Sequence, residues 1–452
     1  MERDSIDFGK ERVSRLFRRL FVPTLLGMLA WSAVTVADGV FVGHGVGSDG
    51  IAAINICAPL FMIFTGIGLL FGTGCSVVAS IHLSRGNVDA ARLNITQAVI
   101  AGSLLALLLC VVVMVAPEAA ARFLGASPTL MPMVLEYMIV LMPGLFFQIW
   151  ESVAMFVIRL DGSPKYAMWC CVVPAVLNFI LDWIFIFPLD MGLFGASLAS
   201  TVCMTIGGLM TMGYLLFGAG SLGLCRVKIS CKSFLLSMRN VAYQCRIGSS
   251  GLLGECTMAM LMFVGNITFM RYMGDDGVGA FGVACYYMPF IFMVGNAIAQ
   301  SAQPIVSFNF GRGYSSRVLS AVRISLLTAV LFGLSSTVAF VLFPDVLVSF
   351  FIGGGSKAAS VAIEGFPLIA LGFLFFIVNI AMIGYCQSLE MVMPATLFAL
   401  LRGVFFLVPA FLFLPKLIGD SGVWLALPAA EMFTTVVLVL FCVVRRHRLF
   451  IF

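Results

Sequence analysis

Four polar residues that could bind a cation lie within long apolar stretches of the sequence: Asp38, Asn178, Asp182 and Thr201. A carboxylate held away from water is costly to ionise, so burial and a second nearby carboxylate both raise its affinity for a proton or a metal ion. Asn178 and Thr201 add neutral oxygens, which suit Na⁺ as a hard cation and can also hydrogen-bond to a protonated carboxyl. The four residues therefore predict a cation switch, with Na⁺ and H⁺ both open. The alternative is that they only hydrogen-bond neighbouring helices together.

These side chains can meet only if several membrane-spanning helices carry them at the same depth in the membrane. Asn178 and Asp182 are four residues apart, so they share one face of a helix. By apolar length, both fall in the outer half of the fifth predicted membrane span, and Asp38 falls toward the outer end of the first. Thr201 lies about two turns inward from the outer start of the sixth span. We expect all four at one depth in the amino-terminal half of the chain.

The composition of the 452-residue chain indicates a membrane protein, since 61% of its residues are hydrophobic and only 10% are charged. Such a chain has too few polar groups to cover a surface in water. Uninterrupted apolar runs such as Ala98–Ala116 favour helices over barrel strands, in which polar and apolar residues would alternate. The predicted fold class is an all-α integral membrane protein with twelve transmembrane helices. They are expected at about residues 17–43, 51–81, 95–116, 131–158, 166–187, 193–217, 240–272, 281–308, 319–343, 360–387, 394–415 and 422–444.

Positive charges set the orientation of the predicted helices. With twelve spans, both termini lie on one side, and Lys and Arg concentrate on the cytoplasmic side. If the termini are cytoplasmic, Arg402 counts among the inside charges, and only Arg122, Arg271, Lys357 and Lys416 of the 26 Lys and Arg fall outside. We therefore predict a multi-pass protein of the cell inner membrane with both termini cytoplasmic. The net charge of +5 then indicates affinity for membrane lipids and not for nucleic acid.

Short segments recur at an offset of about 230 residues, which indicates an internal repeat. Asp161–Pro164 has a counterpart in Leu389–Pro394, and Gly192–Ala196 recurs as Asp420–Trp424. Two six-helix halves insert with the same orientation, so we expect two parallel-repeat bundles around a central cavity that alternates in access. The predicted domains are an amino-terminal lobe at 1–225, a cytoplasmic linker at 226–239 and a carboxy-terminal lobe at 240–452.

Several segments resemble the multidrug and toxic compound extrusion (MATE) transporter family, in the expected order from about Pro23 to Glu431. Within that family, the first half is closer to bacterial MepA- and DinF-like members. The matching segments are Val36–Gly43, Ile158–Met168, Asn178–Phe185, Gln303–Gly311 and Gly422–Glu431.

The resemblance implies a secondary antiporter that exports lipophilic, cationic drugs or toxins in exchange for Na⁺ or H⁺ by alternating access. It also implies that Asp38, Asn178, Asp182 and Thr201 form the cation-coupling site, with all four as metal ligands if the ion is Na⁺. The 42 Phe and 26 Met suit adaptable apolar walls that attract lipophilic cations. Expected partners are small lipophilic cations and membrane lipids, and the protein is expected to be a monomer.

Four further residues are candidates for substrate binding, secondary coupling or bending. Glu255 resembles an acidic coupling position of NorM-like members, and either binds the positive end of a substrate or serves the structure. Leu368–Gln387 in the tenth span holds no acidic residue, so the resemblance does not extend to a complete carboxy-terminal cation site. Glu151 and Glu431 are similar intramembrane carboxylates, with a packing or gating role. Pro23 interrupts the hydrogen-bond ladder of the first span and predicts either a hinge or a static kink.

Other functions fit the sequence less well. Three histidines without metal-ligand spacing, no nucleophile motif and no phosphate-binding loop argue against an enzyme or an ATP-driven pump. We predict no cofactor besides the coupling ion, and no disulfide, because the 13 cysteines lie mostly in apolar runs. One alternative is a lipid-linked oligosaccharide flippase of the same superfamily, which would need cationic residues where the deep charges here are acidic. The other is a membrane scaffold or receptor that transports nothing.

Overall fold

The computed structural model of the chain describes residues 6–227, 230–351 and 356–444, without the side chains of Ser48, Cys231, Lys232 and Asp275. Regular structure within these residues is helical. The long helices are α1 Val13–Gly45, α2 Ser48–Ser84, α3 Val88–Val115, α4 Met131–Leu160, α5 Pro164–Ile186, α6 Gly192–Gly218, α7 Ser233–Gly274, α8 Asp276–Gly311, α9 Ser315–Leu342, α10 Lys357–Ala370 with Phe373–Ser388, α11 Val392–Ile418 and α12 Asp420–Val444.

The prediction of an all-α membrane protein is confirmed. Eleven helices in the described part of the chain are long and apolar enough to cross a membrane, and the two segments of α10, which meet at a bend of 47°, make a twelfth if they count as one span. Two short helices, Pro117–Phe123 and Pro344–Ser349, were not predicted. Of the charges used for orientation, Arg3, Lys228, Arg445, Arg446 and Arg448 lie outside the described residues.

Helix boundaries follow from residues with special backbone preferences. Asn87 caps α3, because its side chain accepts from the N–H of Ala90 at 3.2 Å. Gly274 and Gly419 both have a φ of 64°, the left-handed conformation that side chains disfavour. Gly274 is the last residue of α7 and Gly419 directly follows α11, and an aspartate comes after each glycine.

Large apolar side chains on α3 face outward. Leu104, Leu108 and Val112 are four residues apart along one side of the helix and are 57% to 63% exposed. In water this stripe would be unfavourable, whereas lipid solvates it. The stripe agrees with the membrane location predicted from composition.

The chain divides into two compact units. Unit 1 is built mainly from residues 22–252, which hold α2 to α6, the second part of α1 and the start of α7. Unit 2 is built from residues 8–21 and the residues from 253 onward. The division lies inside α7, beyond the predicted linker at 226–239. The lobe boundaries derived from the sequence repeat stay a prediction.

In unit 1, α4 packs closely against α2, α3 and α6. A side-chain carbon at Gly68 of α2 would collide with Ser152 of α4, and one at Gly208 of α6 would collide with the carbonyl oxygen of Phe147. Small residues at such contacts let helix backbones approach, which is how membrane helices gain packing energy. α4, which carries Glu151, is therefore packed closely against three neighbouring helices of unit 1.

Unit 2 contains a buried aromatic cluster. Phe269 of α7 stacks on Phe281 of α8 with ring centroids 4.5 Å apart, and it forms a T-shaped pair with Trp424 of α12 with centroids 4.7 Å apart. Gly365 of α10 leaves the space that the Trp424 ring occupies. These contacts join four helices of the unit through one set of rings.

Candidate cation-coupling site

Two contacts in unit 1 bring Asp38 of α1 against α5. Gly27 lets the helices approach, because a side-chain carbon there would lie 3.3 Å from Cβ of Cys171. Further along, Phe41 packs against Phe179 with ring centroids 4.9 Å apart. Asp38 lies one turn before Phe41, so these contacts hold it beside the polar residues of α5.

The carboxyl groups of Asp38 and Asp182 lie within hydrogen-bonding reach of one another. The amide of Asn178 joins them, donating to Oδ1 of Asp38 at 2.8 Å and to Oδ2 of Asp182 at 3.2 Å. The opposite amide orientation would set its oxygen against acceptors only, so the hydrogen bonds determine this one. Asp182 and Asn178 are buried, and Asp38 is half-buried.

One acceptor in this cluster has no donor. Oδ1 of Asp182 is buried without a hydrogen-bond partner. Two carboxylates in contact repel one another, and a buried oxygen lacks the hydration it would have in water. A proton between the carboxyls, or a metal cation beside them, would remove both penalties. The arrangement can therefore take up and release positive charge.

The hydroxyl of Thr201 in α6 is used elsewhere. Its Oγ1 donates to the carbonyl oxygen of Val140 in α4 at 2.7 Å, and the residue packs over Gly144 of the same helix. The structure thus brings the other three predicted residues together and ties Thr201 to α4.

Two residues near the acidic pair were missed by sequence reasoning. Tyr137 of α4 is buried within electrostatic reach of Asp38 and Asp182. The thiol of Cys203 in α6 lies within hydrogen-bonding reach of Asn178. Tyr and Cys are common on buried helix faces, and neither residue has a distinctive spacing from the acids. Only the packing of the helices reveals their position.

Glu151 and Glu255 are single buried acids at separate places. Glu151 of α4 lies in unit 1 and faces Gly207 of α6. Glu255 of α7 lies in unit 2 and is 9% exposed. Among the hydrogen bonds that the described residues make, neither acid joins the Asp38–Asp182 pair.

Glu431 of α12, by contrast, belongs to a paired network in unit 2. Its Oε1 accepts from Nη2 and Nε of Arg402 at 2.7 and 3.0 Å, and its Oε2 accepts from the amide of Asn379 at 2.7 Å. The Arg402 guanidinium also lies over the Phe376 ring, 4.4 Å from the centroid. With the Arg402 and Glu431 side chains 2% and 1% exposed, the two charges neutralise one another inside the unit.

The expectation that Arg402 is a cytoplasmic loop charge is wrong. Arg402 lies within α11, in the π-helical turn Leu401–Phe405, and is buried in the ion pair with Glu431. A buried partner removes the cost that normally keeps Arg out of a span. Its charge therefore says nothing about orientation.

The MatE family model matches residues 23–184 and 252–412 of the chain. The chain belongs to the MatE family. The two matched segments begin 229 residues apart, in agreement with the recurrence of about 230 residues in the sequence. The MATE resemblance stated above is thereby confirmed.

Named relatives match this MatE chain over nearly their whole length. The chain is 22% identical to the multidrug export protein MepA of Staphylococcus saprophyticus over 98% of this chain and 96% of the relative. Among solved structures, it is 26% identical to the MATE multidrug transporter DinF-BH, with a TM-score of 0.88 over 100% of both chains. An outward-facing multidrug resistance MATE family transporter of the MOP superfamily, 20% identical, shares the fold with a TM-score of 0.90 over 98% of both chains.

Pro23 is the first residue that the MatE model matches, and it lies where α1 passes from one unit to the other. The first part of α1 belongs to unit 2, where Arg317 donates to the carbonyl oxygens of Phe8 and Glu11 at 2.9 and 2.6 Å. The part from Val22 onward belongs to unit 1. A proline at this place can act as a hinge or as a static kink, and α1 continues through it as one helix.

Proposed function

We propose that this chain is a secondary antiporter that exports lipophilic, cationic small molecules in exchange for Na⁺ or H⁺. Membership of the MatE family and similarity to a protein named as a multidrug export protein support export. The observation that carries the coupling proposal is the contact between the carboxyls of Asp38 and Asp182, bridged by Asn178. Such a pair can bind a cation and release it, which coupling requires.

Cation binding changes which arrangement of α1 and α5 is favoured. Without a cation, the carboxylates of Asp38 and Asp182 repel, and contact between the two helices is disfavoured. With a proton or Na⁺ bound, the repulsion is removed and Asn178 hydrogen-bonds to both groups. A ligand drives a conformational change only through its different affinity for the two states. Here that difference comes from the distance between two carboxyls on two helices.

Substrate binding involves other residues. Glu255 is a buried acid of unit 2 that can bind the positive end of a lipophilic cation, with Phe and Met side chains as adaptable apolar contacts. Glu431 is not free for this role because Arg402 and Asn379 occupy both of its oxygens. Thr201 ties α6 to α4 through its hydroxyl, which donates to Val140 and not to the acidic pair.

We further propose a monomer in the cell inner membrane, among lipids, with both termini cytoplasmic. The asymmetry of Lys and Arg supports this orientation. Two of the four positive charges assigned to the outside are paired with acids, Arg122 with Glu118 at 3.5 Å and Lys357 with Asp276 at 3.4 Å. Pairing weakens the preference of these residues for the cytoplasmic side.

Export of a fluorescent lipophilic cation from proteoliposomes tests this proposal. A Na⁺ gradient and a pH gradient are imposed separately on vesicles holding wild type or Asp38→Asn. We expect wild type to export dye with one of the two gradients, and Asp38→Asn to lose gradient-driven export by about 100-fold, because one carboxyl of the pair is gone. Glu118→Gln, which removes an exposed acid from the same unit, serves as control and should export normally.

Two results would contradict the proposal. Full export by Asp38→Asn would show that coupling does not need the acidic pair. Absence of dye export by wild type under both gradients would show that the chain is not an antiporter of lipophilic cations.

A lipid-linked oligosaccharide flippase is less well supported. A pyrophosphate carrier needs positive charges that are free to bind it, whereas the buried Arg402 is neutralised by Glu431. A scaffold or receptor would move nothing. Dye transport in the same proteoliposomes therefore separates antiport from both alternatives.

A further inference from the structure

Glu151 is an acid in the interior of unit 1 for which the described residues provide no ion pair. Its side chain is 5% exposed, and its Oε2 has no hydrogen-bond partner. It lies where α4, α5 and α6 meet: a carbon built on Gly207 of α6 would lie 2.7 Å from Oε2 and 3.3 Å from Cγ of Pro174 in α5. Glycine at 207 therefore leaves the space that the carboxyl occupies.

The titratable groups that face Glu151 are thiols. Cys170 and Cys171 of α5 and Cys203 of α6 lie within electrostatic reach. On α4 itself, the guanidinium of Arg159 lies two turns further along and interacts with Cys171. Within the described residues, α2 and α3 bring no charged side chain into range of Glu151.

This environment suits a proton better than a metal ion. A lone carboxylate in apolar surroundings is costly while it is charged, and protonation removes that cost. Na⁺ as a hard cation would need several oxygen ligands, and Glu151 supplies two oxygens of one group. The chemistry of the site therefore selects H⁺.

Glu151 and the acidic pair follow one face of α5. Asp182, Asn178 and Pro174 are spaced by four residues on this face, so Pro174 lies about 12 Å along the axis from Asp182. Glu151 lies beside Pro174 across the gap at Gly207. The thiol of Cys203 is within reach of Asn178, of both members of the pair and of Glu151. Unit 1 thus holds two separate acidic sites, the Asp38–Asp182 pair and Glu151, along the same face of α5.

We propose that Glu151 binds a proton of its own in each transport cycle, at a site separate from the Asp38–Asp182 pair. The inference rests on the proposed antiport and extends it by a second proton site. Protonation forms an O–H bond on the carboxyl with a proton taken from water, and release returns that proton to water after the conformational change. A pH gradient then acts on transport through Glu151 as well as through the pair.

Comparing gradient-driven export with exchange at equal pH separates this role from a structural one. Proteoliposomes holding Glu151→Gln or Glu151→Asp are compared with Glu136→Gln, an exposed acid of the same helix. We expect Glu151→Gln to lose pH-driven dye export by at least about tenfold and to keep dye exchange within about twofold of wild type. Glu151→Asp and Glu136→Gln should behave as wild type. Equal loss of export and exchange in Glu151→Gln, or normal pH-driven export, would overturn the proposal.

Labelling with a hydrophobic carbodiimide gives a second readout that needs no variant, because this reagent modifies protonated carboxyls in apolar surroundings. Purified wild type is labelled at acidic, neutral and alkaline pH, and the peptide that holds Glu151 is quantified by mass spectrometry with Glu136 as the exposed reference. Labelling at Glu151 should fall as the pH rises. Absent or pH-independent labelling would overturn the proposal, even if Glu151→Gln does not fold.

The two proposals fail in different ways. If wild type exports no dye under either gradient, antiport and the role of Glu151 fail together. If wild type exports dye and only the Glu151 results are negative, the second proton site alone is wrong.

Discussion

Glu431 of unit 2 differs from Asp182 and Glu151 of unit 1 in how its charge is neutralised, although all three acids are buried among apolar helices. In unit 2, each carboxylate oxygen of Glu431 accepts from a donor, supplied by Arg402 and Asn379. In unit 1, Asp182 and Glu151 each keep an oxygen without a partner. A buried acid with its counterion in place is costly to disturb, whereas an unpartnered acid gains from binding a proton or a cation. We infer that the ion pair of unit 2 maintains the structure and that the acids of unit 1 carry the coupling.

Breaking the ion pair of unit 2 should have the largest effect on stability. Glu431→Gln leaves the charge of Arg402 buried without a counterion, and we expect a loss of about 3–5 kcal/mol in the free energy of unfolding. The measurement is the unfolding temperature of the purified protein in detergent. Asp182→Asn should lower that temperature far less, or raise it, because it removes repulsion with Asp38.

A double variant tests whether the loss comes from the uncompensated charge. Arg402→Met combined with Glu431→Leu removes both charges and should recover most of the stability lost in Glu431→Gln. If Glu431→Gln unfolds at the wild-type temperature, the contrast between the two units does not hold.

Asp161 extends the comparison of the two units, because it is an acid of unit 1 whose two oxygens both accept hydrogen bonds. Its two oxygens accept from the N–H groups of Gly220, Ser221 and Leu222 at 2.6 to 3.0 Å and from the hydroxyl of Tyr214 at 2.9 Å. We expect Asp161→Ala to lower the free energy of unfolding by about 2 kcal/mol, since several donors lose their acceptor. Dye export per folded molecule should not change.

An exposed acid of the same unit supplies the control for Asp161. Asp89→Ala should cost less than about 1 kcal/mol, the usual size of a charge interaction with a helix start. An equal cost for the two variants would mean that hydrogen bonding does not distinguish the acids of unit 1.

The membrane fold could be predicted because it depends on local pattern. Apolar length places a span, and the four-residue spacing of Asn178 and Asp182 places both on one helix face. The partners of buried groups could not be predicted in this way. Arg402 and Glu431 are 29 residues apart in sequence, and only the packing of α11 against α12 shows that they meet. Counting Arg402 as a loop charge was wrong for this reason.

Thr201→Val should have the smallest effect. Valine keeps the branched shape but loses the hydrogen bond to the carbonyl oxygen of Val140, so we expect a cost of about 1 kcal/mol in the free energy of unfolding. Dye export should stay within about twofold of wild type, because the hydroxyl contacts α4 and not the acidic pair. Thr201→Ser, which keeps the hydroxyl, is the control and should match wild type in both assays. If Thr201 is instead a ligand of Na⁺, Thr201→Val will lose Na⁺-driven export as strongly as Asp38→Asn. Export under a Na⁺ gradient therefore decides whether the coupling site has three residues or four.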